Sequence, residues 1–353
     1  HYRVTYDSDT WDLIAEVLLD SPTTVNELNR AQVVDDVFAL MRSEKMNYSF
    51  GFKILRFLRY ETNYHVWRPA ISGYSFLRNR FRHQPEVQAT FDSFILSYME
   101  VVINVIGFET QPLESVTDSL LRQEVLHFAC TLGHSDCEND SEKKFNNMMS
   151  DHRYWVDPRI RRHVYEMGIR RGGHDEFEFL LNRFRASNIA NDQLEMLRGL
   201  ASTRIPELLT RYLEMTLDKV VRHHDKVTAF NYALLGNKAN ANTVLSFVKN
   251  NIDAIRKAYT EDSPVTPVHT ALTNLASYLD EDALEEYEGW LRSTQSNTAQ
   301  FTRAISAINS ARNNMAWGIA NADMILLAAR DGATTVIISS VLLIAMSLIA
   351  MIA

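Results

Sequence analysis

Apolar residues recur along most of this chain at steps of three and four, the spacing that lines one face of an α-helix. In the first such segment Trp11, Ile14, Ala15 and Leu18 share a face. In the next, Asn29 is placed to cap a helix whose buried stripe is Val33, Val34, Val37, Phe38 and Met41. The pattern repeats over 52–59 and 74–81, and again over 91–106, which is apolar almost all round from Phe94 onward and reads as a central helix. Further helices are predicted over 159–169, 176–185, 190–200, 206–216, 226–235, 242–250, 270–278 and 282–292. A long last one over 301–330 carries a stripe of Phe301, Ile305, Ile308, Met315, Ile319 and Leu326. Only the opening, HYRVTYD over 1–7, alternates like a strand.

Short loops joining amphipathic helices, without a strict sequence period, predict an all-α, helical-repeat superhelical solenoid of the HEAT/armadillo kind. Gly and Pro number only 12 and 8 in 353 residues, against a usual share of about 12%, which disfavours the many tight turns of a sandwich or barrel. No Gly/Ser- or Pro-rich linker divides the body. The expected organisation is therefore the end of a preceding β domain over 1–7, one helical domain over 8–330, and a tail over 331–353. The opening His1, where an initiator Met would stand, reads as a cut through a longer protein.

The tail changes the picture. From Gly332 to Ala353 it has neither charge nor proline. At about 1.5 Å per residue it is long enough to cross a hydrocarbon core about 30 Å thick. Three readings stay open: a glycosylphosphatidylinositol (GPI) attachment signal, a membrane span, or a buried last helix. Candidate attachment sites are Asn321, in the small triplet Asn321-Ala322-Asp323, and Asp331, at the break in composition before Gly332.

The search for chemistry ends without a catalytic set. The eleven histidines never form HExxH, which would place two zinc ligands on one helical face around a general base. His223 and His224 are adjacent and face different ways, and Gly172-Gly173 interrupts any helix that would align His152, His163 and His174. GxSxG, P-loop and GxGxxG motifs are absent. The net charge of −8 gives no electrostatic reason to expect nucleic acid. Six arginines between Arg153 and Arg171 are interleaved with carboxylates and read as a solvated, ion-paired face. In FLRNRFRH, Leu77 and Phe81 should point inward and Arg78 and Arg82 outward. The two cysteines, Cys130 and Cys137, are either free thiols or a closed loop, depending on compartment. Two sequons, at Asn47 and Asn139, fit an exported, glycosylated chain.

Several segments resemble the M1 zinc aminopeptidases, the group that includes aminopeptidase N. HYRVTYDSDTW is similar to the junction where that family's small β domain hands over to its helical C-terminal domain. LNRAQVVDDVFAL (28–40) resembles the family's asparagine-arginine-alanine-glutamine helix start. FLRYETNYHVW (57–67) resembles its glutamate-tyrosine-tryptophan segment, and HVYEMGIRRGGHDEFEFLLNRF (163–184) a further signature with Phe177 where tryptophan is usual. Cys130 and Cys137 match a short disulfide of the aminopeptidase N branch.

The resemblance implies a helical domain that caps the catalytic domain, with peptide substrates entering the cavity between them. Zinc, its ligands and the catalytic residues would belong to an earlier domain, so that no metal or catalytic residue lies in this chain. It also implies that SPVTPVHTAL (263–272) approaches the pocket for the substrate's first side chain, making Val265 and His269 the substrate-pocket candidates. A GPI-like tail on such an enzyme resembles the insect gut branch. That branch sits on the extracellular face of the plasma membrane and is known as a docking site for bacterial crystal toxins. The competing reading is an independent, membrane-tethered helical-repeat scaffold that binds protein partners.

Overall fold

The computed structural model describes residues 3–260, 266–293 and 301–350, and for 260, 266, 267 and 331–350 it describes the backbone alone. Among these residues sixteen α-helices follow one another and no β-strand occurs. In chain order they are α1 (Ser8–Asp20), α2 (Glu27–Arg42), α3 (Tyr48–Ile54), α4 (Tyr64–Arg80), α5 (Pro85–Ile106) and α6 (Val116–Thr131). Then come α7 (Ser135–Ser150), α8 (Arg161–Arg171), α9 (His174–Ala186), α10 (Ala190–Leu200), α11 (Pro206–Leu217) and α12 (Lys226–Gly236). The series closes with α13 (Asn240–Thr260), α14 (Thr266–Ala276), α15 (Glu281–Ser293) and α16 (Thr302–Ala350). The fold is all-α, as the periodicity predicts.

The strand expected over 1–7 is not formed among the described residues 3–7. A strand exists only through its ladder partner, and here the segment is committed otherwise. Arg3 reaches Asp35 and Asp36 at 2.7 and 2.6 Å, and Asp7 caps α1 by accepting the Thr10 N–H at 2.8 Å. The cap of α2 also differs: Asn26, not Asn29, accepts the Leu28 N–H at 2.9 Å, and Asn29 lies inside the helix. Capping needs an extended residue just before the first turn. Asn26, with ψ at 142°, supplies it.

The chain forms two compact units, His1–His134 with Trp317–Ala353, and Ser135–Ala316. In the first, α2 packs on α4 and α4 on α6, while α5 lies against α4, α6 and the 3-10 segment Leu55–Tyr60. Among the residues whose side chains are described, α5 is long and apolar enough to cross a membrane. It serves as a core helix all the same: Phe91, Ile95, Tyr98, Met99 and Val102 are fully buried, while Val105 on its other face is 66% exposed.

In the second unit helices two apart in sequence lie side by side. α8, α10, α12 and α14 form one row, and α11, α13 and α15 another. This is the neighbour pattern of stacked helix pairs. Its core includes Phe145, Tyr165, Phe177, Leu180, Tyr212, Phe230, Tyr259 and Tyr287. Three buried tyrosine hydroxyls of this unit find partners, as buried polar groups usually do. Tyr212 donates to the Ala229 carbonyl at 2.9 Å, Tyr287 donates to that of Leu272 at 3.0 Å, and Tyr259 pairs with Thr216 at 3.0 Å.

Candidate functional site

The signature segments prove to be fasteners of the first unit. Arg30, in the asparagine-arginine-alanine-glutamine stretch, donates to the Glu61 carboxylate from Nε at 2.7 Å and from Nη2 at 3.2 Å. Glu61 Oε1 also accepts the Thr62 and Asn63 N–H groups at 2.9 Å each. The Trp67 indole donates to the Glu61 carbonyl at 2.7 Å. Two segments 31 residues apart are thereby tied by one buried ion pair.

The arginines of 153–171 all face carboxylates: Arg153 with Asp151, Arg159 with Asp157, Arg161 with Asp192, Arg162 and Arg170 with Glu166, Arg171 with Glu138 and Glu142. The ion pairing matches the sequence reading, but the solvation does not, since Arg161 and Glu166 are buried. Arg78 likewise departs from its outward placement. It grips Asp92 with two bonds of 2.7 and 3.0 Å and donates to the Thr131 carbonyl at 3.3 Å.

Around Glu166 the row α8–α10–α12–α14 carries a polar band. Arg162 and Arg170 flank Glu166 one turn on either side, at 3.8 and 3.9 Å. On α10, Arg198 pairs with Glu195 at 3.8 Å, donates to the Tyr232 hydroxyl at 3.0 Å and lies over that ring at 4.5 Å. Arg170 donates to the Gly236 carbonyl at 3.0 Å, and Asn274 on α14 donates to Asn231 on α12 at 3.1 Å. Burial pushes the Glu166 carboxyl above its usual range, and the attraction of Arg162, Arg170 and Arg198 opposes the shift. Three arginines against two glutamates make a half-buried band of slight positive excess, suited to carboxylates and peptide carbonyls. The sequence shows the arginines; their convergence across three helices has no sequence signal.

His269 sits in the first turn of α14, half-buried, its ring edge-on to Phe301 at 5.7 Å between centroids. Its Nε2 is buried without a hydrogen-bond partner among the described residues. Burial, then the nearby Arg303 charge, lowers its pKa and favours the neutral imidazole. Val265 lies outside the described residues. Among the described residues no three His, Cys, Asp or Glu side chains are grouped so as to hold a metal ion. Among the described residues one concavity of about 240 Å³ lies beside Phe177, Arg211 and Asp218, and another of about 600 Å³ beside Val105, Leu113 and Arg122.

The remaining candidates lie on helices. Cys130 ends α6 and Cys137 begins α7, and the two are joined in a disulfide. Asn47 is the exposed N-cap of α3, and Asn139 is exposed on α7, accepting from Arg171 at 3.0 Å. Asn321 is half-buried in α16 and donates to the Trp317 carbonyl at 2.8 Å. Asp331 lies further along the same helix, where the backbone alone is described. The turn 235–241, which suggests no role by sequence, is structural. Asn240 donates to the Ala201 and Ala233 carbonyls at 3.1 and 3.0 Å, and a Cβ on Gly236 would stand 2.4 Å from the Ala201 oxygen.

Comparison with known proteins gives a consistent set. A family model described as "ERAP1-like C-terminal domain" matches residues 1–310. The membrane alanyl aminopeptidase of Heliothis virescens is 32% identical over 302 residues, covering 84% of this chain and 29% of that protein. The membrane alanyl aminopeptidase of Manduca sexta is 30% identical over 320 residues, 90% of this chain and 32% of the relative. Mouse glutamyl aminopeptidase is 28% identical over 233 residues, 65% and 24% respectively. The chain thus spans about a third of the length of the relatives it matches.

Proposed function

We propose that this chain, which belongs to the ERAP1-like C-terminal domain family, is the non-catalytic helical cap of a membrane-held aminopeptidase that releases residues from peptide N-termini. The observation that carries the reading is the match over residues 1–310, joined to 84–90% coverage by two insect membrane alanyl aminopeptidases. The chemistry belongs to the part of the protein outside this chain, where a zinc-activated water would attack the first peptide bond. The cap contributes walls. Its polar band, with Arg162, Arg170 and Arg198 around Glu166, offers donors to an extended peptide in the cavity. His269, whose buried Nε2 has no hydrogen-bond partner among the described residues, is the candidate contact for the substrate's first residue.

The test uses the full precursor with amino-acyl chromogenic substrates. Activity should vanish on chelation and return with zinc. Arg198→Ala and His269→Ala should raise KM or alter residue preference while leaving kcat within about threefold, as loss of uniform binding does. A precursor without aminopeptidase activity would defeat the reading, and variants that abolish kcat with KM unchanged would place chemistry in the cap.

A further inference from the structure

The first unit encloses two tyrosines without the partners that buried hydroxyls ordinarily find. Tyr74 on α4 and Tyr98 on α5 are both 0% exposed, and neither hydroxyl has a hydrogen-bond partner among the described residues. Their rings lean on the same Phe94, at 6.2 and 4.7 Å between centroids. Arg59 belongs to the 3-10 segment Leu55–Tyr60 that packs against α5, and its guanidinium carbon stands 4.6 Å from the centre of the Tyr98 ring. The Arg59 Nε is buried and equally without a hydrogen-bond partner, and Arg59 forms no ion pair among the described residues. Burial raises both phenol pKa values, while the Arg59 charge draws each of them down and Tyr98 adds to the rise at Tyr74. The three groups are therefore within electrostatic reach of one another.

Such a set is rich in donors and positive in charge. Arg59 brings the N–H of a permanent cation, the two phenols bring O–H groups that rotate to suit, and Arg56 adds its charge at Tyr98. A water among them would satisfy a donor but leave the guanidinium charge uncompensated in an apolar surrounding. An anion accepts from all three and supplies the missing charge. Three donors suffice for a monovalent spherical ion, whereas the four oxygens of sulfate or phosphate call for more. With both hydroxyls wholly enclosed, no organic group attached to the anion could follow it in. Arg59 is only half-buried, and its outer side leaves a route from solvent.

We propose that Arg59, Tyr74 and Tyr98 enclose a halide ion of chloride size that completes the core of the first unit. The ion joins α4, α5 and the 3-10 segment, which have no other polar tie at this point. That segment runs directly into Glu61, so the ion also steadies the stretch that carries the Arg30–Glu61 pair. The site uses none of the residues assigned to peptide contact, and it stands whatever the parent protein cleaves.

The experiment uses the full precursor and two readouts. Crystals grown in sodium bromide and measured at the bromine absorption edge should show an anomalous peak in contact with the Tyr74 and Tyr98 hydroxyls and Arg59. Thermal melts at constant ionic strength, with chloride exchanged for gluconate, should give a Tm that rises with the logarithm of chloride concentration above the dissociation constant. Tyr74→Phe and Tyr98→Phe each delete only a hydroxyl. Both should abolish the chloride-dependent rise, and in gluconate both should melt no lower than wild type, because the group removed there has no partner. Arg59→Gln should abolish the rise as well. A water in place of the bromide peak, or a wild-type Tm indifferent to chloride, overturns the proposal. A peak without the chloride-dependent Tm would be an adventitious ion only and overturns it equally. The crystal reading is made on wild type, so it decides even where a variant fails to fold.

Discussion

Removing the Glu61 side chain tests whether the signature residues hold the fold. Arg30 and Glu61 side chains are 9% and 4% exposed and share two bonds. Glu61→Ala deletes both, and deletes the acceptor for the Thr62 and Asn63 N–H groups as well. A buried charge left without its partner typically costs about 3–5 kcal/mol. Arg30 keeps the Pro22 and Val25 carbonyls at 3.1 and 2.6 Å, which points to the lower end, about 3 kcal/mol. Arg30→Met is milder, about 2 kcal/mol, because the carboxylate retains its two backbone donors. If the pair is one unit, Arg30→Met combined with Glu61→Ala should cost no more than Glu61→Ala alone, a coupling of about 2 kcal/mol. Urea unfolding followed by tryptophan fluorescence reads this directly, Trp67 being fully buried and bonded to the Glu61 carbonyl. A Glu61→Ala protein within about 1 kcal/mol of wild type, or a double variant that loses the full sum, would refute the reasoning.

Gly318→Ala sets two effects against each other. Helix propensity favours Ala by about 1 kcal/mol, but the new Cβ would stand 2.2 Å from the Arg80 backbone oxygen. Overpacking of about 1–3 kcal/mol should win, and a thermal melt at or above that of wild type would contradict it. Replacing Cys130 and Cys137 with Ser should preserve the helical circular dichroism while lowering stability by about 2–3 kcal/mol, and an unchanged urea midpoint would be the contrary result. Glu166 titrates above its ordinary value of 4.5, so between the two values the native state holds more protons than the unfolded one. Its contribution to stability is full below 4.5 and is lost as pH rises through the raised value. Relative to Glu166→Gln, wild type should therefore weaken with rising pH across that window, and parallel pH profiles would show the shift to be absent.

The helices were legible because their buried stripes use large side chains. α10 falls where the spacing of Leu194, Leu197 and Leu200 puts it, and the breaks around Gly172-Gly173 and before Pro206 fall as their backbone chemistry requires. Where small residues carry the contact, the same reading slips. In α16 the buried positions run Ala304, Ile308, Ala311, then Gly318, Ala322, Ile325 and Ala329, a three-four alternation through alanine and glycine. Ile319, assigned to the stripe for its size, is instead 67% exposed. Arg78 and Glu166 were misplaced for a related cause, since burial of a charge depends on a partner whose approach no local pattern records. The same holds for the candidate site: the sequence names His269, but the convergence of Arg170, Arg198 and Tyr232 belongs to helices that meet only after folding.

The two sequons differ in what folding leaves readable. At Asn47 the cap uses Oδ1, which accepts the Phe50 N–H at 2.8 Å, so the amide nitrogen that would carry a sugar remains outside the cap. At the other sequon the serine that glycosyl transfer requires is Ser141. It is fully buried and donates to the Cys137 carbonyl at 2.7 Å. A glycan on Asn139 therefore has to be attached while the nascent chain is still extended, before α7 winds and its disulfide closes. Occupancy at Asn139 would then act as a clock: slowing disulfide formation during secretion should raise it, and occupancy at Asn47 should not follow.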